Sequence, residues 1–330
     1  MEAVASSSSQ VPILRSDEEE DLIRQISGLG LKIKQIKNIA SMPPNVRIKI
    51  ETLKKIQLDL LDKEAEFHQK VHSLEVEYQK NYDEMNEKRR QIVNGIYIPK
   101  LEGVPESTDD AADQAQGIPE FWLTVFKMTP VLHAMIRESD EEALKRLVDV
   151  RTQVKSEPQP QFVLQFEFEP NDFFEDRILE KKYMMKCSPN PEKPFSFNGF
   201  EIYDTVGHDI HWKEGANLTK LAMTDDNGQK HEVLTTSFFN FFNPKPLFEA
   251  DSILNVQFLE TDFEIGYYIK ERVIPRAILF FIGQIDDEFD DVSDSADEES
   301  IRGVYNLEEA PEGAAAKRAI IEEEPQDEDQ

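Results

Sequence analysis

The chain has 330 residues, 39% of them hydrophobic and 31% charged, with a formal net charge of −29 at pH 7. That balance supports a packed core in part of the chain but not along all of it. It also disfavours direct binding to DNA or an anionic membrane, through long-range repulsion, and favours a cationic partner.

The charge is unevenly placed. Residues 286–330 carry 18 acids and three bases, −15 of the −29, and the other 285 residues are still acidic at −14. Cys187 is the single cysteine, which excludes an intrachain disulfide and suits a reducing compartment. No apolar run has the length expected of a signal peptide or a membrane span, and the closing DEDQ is no lipidation box.

Residues 1–15 are Ser-rich and aperiodic and are read as disordered. Ser16, followed by Asp17 and three glutamates, signals a helix start. Leu22, Ile26, Leu29, Ile33 and Ile36 give that helix one apolar face, and Pro43-Pro44 ends it. Gly28 and Gly30 weaken it by roughly 1 kcal/mol each relative to alanine, so packing has to stabilise it.

From Asn45 to Asn94 no Gly or Pro occurs, and Gly95 closes the stretch. Leu53, Ile56, Leu60, Phe67, Val71, Leu74, Tyr78, Tyr82 and Met85 form a narrow stripe at heptad-like spacing. A helix of that size would be about 75 Å long. One ordinary domain cannot hide such a stripe, so it needs a partner helix. A second copy of the chain is the simplest partner, and packing within the chain is the alternative. Ile50, Leu53, Ile56 and Leu58 also fit the spacing of a leucine-rich export signal, two of them shared with the stripe.

The polar stretch 102–117 is read as a loop. Helical spacing resumes in GIPEFWLTVFKMTP, and Ser139 with Glu142 at the capping-box position predicts a helix through DEEALKRLVDV. Phe162, Leu164, Phe166 and Phe168 then alternate with Val163, Gln165, Glu167 and Glu169, as in a strand with one covered face. KKYMMK, HDIHW, LTKLAM and HEVLTT are shorter strand candidates, the last two joined by an Asn227-Gly228 turn. SFFNFFNP, DFEIGYYIKERVIP and RAILFFIG supply helical or buried apolar segments, and hydrophobicity collapses after Gly283. The parts are therefore 1–15, a helical region 16–95, an α+β domain 96–285 built on an antiparallel sheet with helices, and an acidic disordered tail 286–330.

No residue set suggests catalysis, a cofactor or a metal. His68 and His72 stand at i, i+4 on the long helix without a third ligand and are read as solvated surface. His208 and His211 flank Ile210 with no carboxylate cluster at metal spacing in the sequence. Lys88, Arg89 and Arg90 are read as a solvated basic face. The acidic tail sets Phe289 among Asp286, Asp287, Glu288, Asp290, Asp291, Asp294, Asp297, Glu298 and Glu299. A solubilising tail gains nothing from a benzyl group, so this stretch is read as an acidic ligand anchored by Phe289; docking onto its own domain is the other reading. In the body, Asp172, Glu175 and Asp176 just after the main strand are the candidate binding acids.

YQKNYDEMNEKRRQIVNG, GIPEFWLTVF, ESDEEALKRLVDV, FVLQFEFEPNDFFEDRILEKKYMM, SFFNFF and DFEIGYYIKERVIPRAILFF, in this order over roughly Asp17 to Gly283, resemble successive blocks of the nucleosome assembly protein family, which includes the SET-type chaperones. The resemblance implies an antiparallel dimer through the long helix. Each end would carry an α+β "earmuff" domain whose acidic underside binds core histones. It further implies ATP-independent chaperoning, chiefly of the histone 2A–2B dimer and also of histones 3 and 4, with shuttling between nucleus and cytoplasm. One departure concerns the hairpin at 218–235, where many members carry a basic import sequence; here Lys220, Lys230 and His231 are the only bases. An acidic dimeric scaffold or enzyme inhibitor is the competing reading.

Overall fold

The computed structural model describes residues 16–98, 117–224, 230–243 and 253–285. Both predicted disordered termini, the acidic tail, nearly all of the 102–117 loop and the Asn227-Gly228 turn lie outside them. The chain divides into two units. One holds the residues up to Glu64 with Pro189–Phe197, and the other holds Ala65–Ser188 with the residues from Asn198 onward.

In the first unit, α1 spans Ser16–Ser41. Helix α2 spans Pro44–Val93 and continues into the second unit. The Pro43 carbonyl accepts the first helical bonds, from the N–H of Val46 (2.9 Å) and Arg47 (3.1 Å). Pro44 thus sits in the first turn, where its missing N–H costs nothing. Both helices fall where the apolar spacing places them. Leu29, Ile33 and Ile36 of α1 are exposed.

The second unit is α+β, as expected. Helices α3 (Phe121–Lys127), α4 (Pro130–His133) and α5 (Glu138–Leu144) precede a four-stranded antiparallel sheet of β1 (Leu147–Lys155), β2 (Gln161–Phe168), β3 (Ile178–Lys186) and β4 (Glu201–Val206), paired in chain order. A hairpin of β5 (Lys220–Thr224) and β6 (Lys230–Leu234) pairs apart from it. A 3-10 turn at Phe238–Phe242, α6 (Ile253–Tyr268), a π turn at Ile269–Val273 and α7 (Ala277–Phe281) complete the unit. Among the described residues, no helix is long and apolar enough to cross a membrane.

The predicted face of β2 is the centre of the core: Phe162, Leu164, Phe166 and Phe168 are all buried. Phe166 meets Phe126, Phe238, Phe241 and Phe242 at centroid distances of 5.0–6.3 Å. Asp140 aligns the 3-10 turn against α5. Its carboxylate accepts from the Arg137 N–H (3.0 Å), the Phe238 N–H (2.9 Å) and the Ser237 hydroxyl (2.8 Å). The helix therefore starts at Glu138 behind Arg137, not at a Ser139–Glu142 box. It also stops at Leu144, because LVDV belongs to β1, whose Val150, Thr152 and Val154 point inward at period two. A second correction is HDIHW, which contributes only one isolated bridge, Trp212 to Phe174.

β1 is an edge strand, and side chains of α2 and of Asn94 just after it cover its edge. Asn94 donates to the Val148 carbonyl (3.1 Å), Arg89 to Val150 (3.0 Å) and Gln79 to Thr152 (2.9 Å). The Val154 N–H donates to Gln79 (3.3 Å), and His72 Nε2 meets the Lys155 carbonyl (3.1 Å). Exposed edges are templates for unwanted pairing, and this one is closed. The arrangement corrects two expectations of solvated residues. His72 is buried at 5% exposure. Arg89 lies 4.9 Å over Trp122 while also donating to the Ile274 carbonyl, and Arg90 is paired with Glu167 at 3.1 Å. Burial pulls the Arg89 guanidinium below its ordinary value, against the charge of Asp149.

Gly266 of α6 packs against Tyr183, whose hydroxyl donates to the Asp262 carbonyl at 3.0 Å. A Cβ at Gly266 would stand 2.4 Å from the Tyr183 ring. Alanine at a helical glycine ordinarily gains about 1 kcal/mol. Here overpacking costs about 1–3 kcal/mol. Gly266→Ala is therefore expected to lower the melting temperature of the full chain, and a rise in calorimetry would show that Tyr183 yields.

Candidate functional site

The predicted binding acids sit on the β2–β3 connection, residues 169–177. Asn171 Oδ1 accepts from the N–H groups of Phe173 (2.9 Å) and Phe174 (3.0 Å), an Asx turn that shapes the loop. Phe174 is buried edge-on to Phe168 (5.1 Å), Phe239 (5.6 Å) and Trp212 (5.7 Å). The loop is laced to the segment after β4: Glu175 N–H donates to the His211 carbonyl (3.0 Å), and Lys213 N–H donates to that of Phe173 (2.8 Å).

This lacing leaves Asp172 and Glu175 exposed, together with Glu169 on the loop and Asp209 and Glu214 on the facing segment. Asp176 is turned inward. Its Oδ2 accepts from the His211 N–H (2.7 Å), and its Oδ1 lies 2.9 Å from His211 Nδ1 and 3.4 Å from His208 Nε2. Burial pushes the Asp176 carboxyl up, but the hydrogen bonds from His211 and the longer 3.4 Å contact with His208 outweigh it and hold the group below the usual carboxylate value. The His211 imidazole is raised, first by its hydrogen bond to Asp176 and then by the charges of Asp176, Asp209 and Glu175. The carboxylate partner that the local sequence lacks thus arrives 35 positions away from His211, which corrects the expectation for these histidines. Cations here are mostly committed: Lys213 donates to the Asn171 carbonyl, and Arg146 stands 3.9 Å from Glu169.

The second predicted surface is the α2 stripe. All nine of its side chains, Leu53, Ile56, Leu60, Phe67, Val71, Leu74, Tyr78, Tyr82 and Met85, are exposed, from 48% at Val71 to 64% at Leu53. Of the export-signal positions, Leu53 and Ile56 are exposed while Ile50 and Leu58 are half-buried, all on α2. A groove of about 770 Å³ runs beside α2, lined by Val71, Tyr82, Phe162, Phe263, Tyr267 and Lys270 among others. Glu75 and Glu271 both hydrogen-bond Lys270, so their charge is used internally. On the hairpin, Lys220 pairs with Glu232 at 2.8 Å, and His231 is exposed. The tail acids and Phe289 lie outside the described residues.

A family model described as nucleosome assembly protein matches residues 48–284. Nucleosome assembly protein 1-like 1 of Mus musculus is 37% identical over 289 residues, covering 77% of this chain and 73% of that protein. Nucleosome assembly protein 1-like 4 of Homo sapiens is 38% identical over 295 residues, covering 77% and 78%. The solved nucleosome assembly protein 1 from Plasmodium knowlesi shares the fold at a TM-score of 0.51 with 26% identity, covering 74% of this chain and all of that one. The chain belongs to the nucleosome assembly protein family.

Proposed function

We propose that this chain is an ATP-independent histone chaperone. It binds core histones, preferentially the 2A–2B dimer and also histones 3 and 4, shields them from non-specific DNA contacts and promotes nucleosome assembly and disassembly. It acts as a homodimer through the α2 stripe and shuttles between nucleus and cytoplasm. The observation that carries the reading is an exposed, mostly unneutralised acidic surface (Asp172, Glu175, Asp209, Glu214) on a fold whose relatives are named for nucleosome assembly.

The physics suits a chaperone, which must cover a basic surface and release it. An exposed carboxylate–ammonium contact contributes about 0–1 kcal/mol and weakens with salt. Several together give fast encounter and modest affinity without a fixed register. Burying Phe289 of the tail adds about 1.5–3 kcal/mol that salt does not screen. The Asp286–Glu299 stretch then acts as an anchored acidic arm, with Phe289 setting its position.

A salt series separates the two contributions. For Asp172→Asn/Glu175→Gln, affinity for the 2A–2B dimer in fluorescence titration is expected to fall several-fold at low salt and to converge with wild type at high salt. For Phe289→Ala the loss is about tenfold or more at every salt concentration. Unchanged affinity of Phe289→Ala at high salt would remove the anchor. No effect of either variant at low salt would remove histone binding from these surfaces.

A further inference from the structure

The structure assigns a divalent transition-metal site, of the zinc class, to Asp176, His208 and His211. One ligand atom from each residue lies within 4.8 Å of the other two. Asp176 Oδ1 stands 2.9 Å from His211 Nδ1 and 3.4 Å from His208 Nε2. Tetrahedral zinc, with bonds of about 2.0–2.2 Å to nitrogen and oxygen, spaces its ligand atoms by about 3.3 Å, so small side-chain rotations suffice. Two imidazoles and one carboxylate suit zinc, copper or nickel and not magnesium or calcium, which take oxygen shells.

Asp176 Oδ1 is a close partner for His211 Nδ1 at 2.9 Å but a more distant one for His208 Nε2 at 3.4 Å. His208 Nε2 is buried and makes no hydrogen bond of good geometry, with Asp176 Oδ1 as its near neighbour. A buried polar atom left this way is costly, and a metal ion would use its lone pair. The backbone fixes all three ligands. The His208 N–H donates to the Phe242 carbonyl (2.8 Å), and Asp176 Oδ2 is held by the His211 N–H (2.7 Å). Gly207 permits the close approach, since a Cβ there would stand 1.6 Å from the Phe242 oxygen. His211 is 71% exposed, which gives the ion an entry path and leaves a fourth position to solvent.

The test is calorimetric titration of zinc chloride into the untagged full chain after chelator treatment and desalting. One saturable site per chain is expected in wild type and in His133→Gln, an exposed histidine away from the cluster. Loss of a direct ligand in His208→Asn or His211→Gln is expected to weaken binding on the order of 100-fold, the top of the range for disturbing a ligand's partner. Cobalt(II) should give the visible bands of a tetrahedral site in wild type and lose them in both variants. Zinc should raise the melting temperature of wild type and not that of His211→Gln, an exposed position whose change leaves the core intact. Absence of binding, or weak binding shared equally by wild type and both variants as acidic-tail carboxylates would give, overturns the assignment.

Discussion

Asp262→Ala is expected to destabilise the second unit by about 3–5 kcal/mol, the cost of leaving a buried charge without its partner. Lys181 and Asp262 are both 0% exposed and meet at 2.7 Å. Lys181 also donates to the Phe241 carbonyl at 2.5 Å and lies 4.6 Å over the Phe241 ring. The pair therefore joins β3, α6 and the 3-10 turn at a single ammonium. Burial pulls the Lys181 ammonium below its ordinary value, and Asp262 opposes that through its charge and hydrogen bond. Without Asp262 the depression deepens. The unfolded chain then binds more protons than the folded one, so the variant's stability should rise with pH between the folded value and the ordinary lysine value of about 10.4. Lys181→Met/Asp262→Leu should recover most of the loss, less about 1 kcal/mol for the Phe241 carbonyl that loses its donor. Urea unfolding at several pH values measures all of this. An Asp262→Ala midpoint equal to wild type would show that the pair contributes nothing.

Phe67→Glu/Leu74→Glu is expected to convert the proposed homodimer into monomers without unfolding the second unit. Both side chains are more than half exposed in the single chain, so neither belongs to its core. In a twofold interface every position counts twice. Each apolar side chain contributes about 1.5–3 kcal/mol on burial, so four such losses exceed about 6 kcal/mol even before the carboxylates are desolvated. That is more than a ten-thousandfold rise in dissociation constant. Sedimentation equilibrium together with circular dichroism checks it. A variant that remains dimeric would mean that the chains associate through some other surface.

The elements most legible in the sequence were those with one dominant period. The fifty-residue helix and the β2 face are both set by regular apolar spacing, and both lie where that spacing puts them. β1 was hidden because ALKRLVDV also fits a helix. Its period-two residues Val150, Thr152 and Val154 begin only where α5 has already ended. HDIHW has strand-like alternation, but its backbone is tied to the β2–β3 loop instead of to a ladder. The roles of His72, Arg89 and Arg90 could not be read locally. His72 and Arg89 take theirs from the edge strand β1 and Arg90 from Glu167 of β2, all more than fifty residues away, and nothing in KRR distinguishes a solvated face from one that binds a sheet. Likewise, Asp176 and His211 meet only through tertiary lacing. The exposure of Asp172 and Glu175 was legible because a loop directly after a buried strand must return to the surface.

The proposed function rests most directly on protection of histones from DNA, and light scattering measures that. The full chain is mixed with 2A–2B histone dimers at moderate salt without ATP, and DNA is then added. Clear solutions at a roughly stoichiometric ratio of chain to histone dimer, turning turbid again as salt weakens the complex, are the predicted result. Aggregation that persists at a large excess of the chain would contradict it and leave an acidic scaffold for another partner as the better reading.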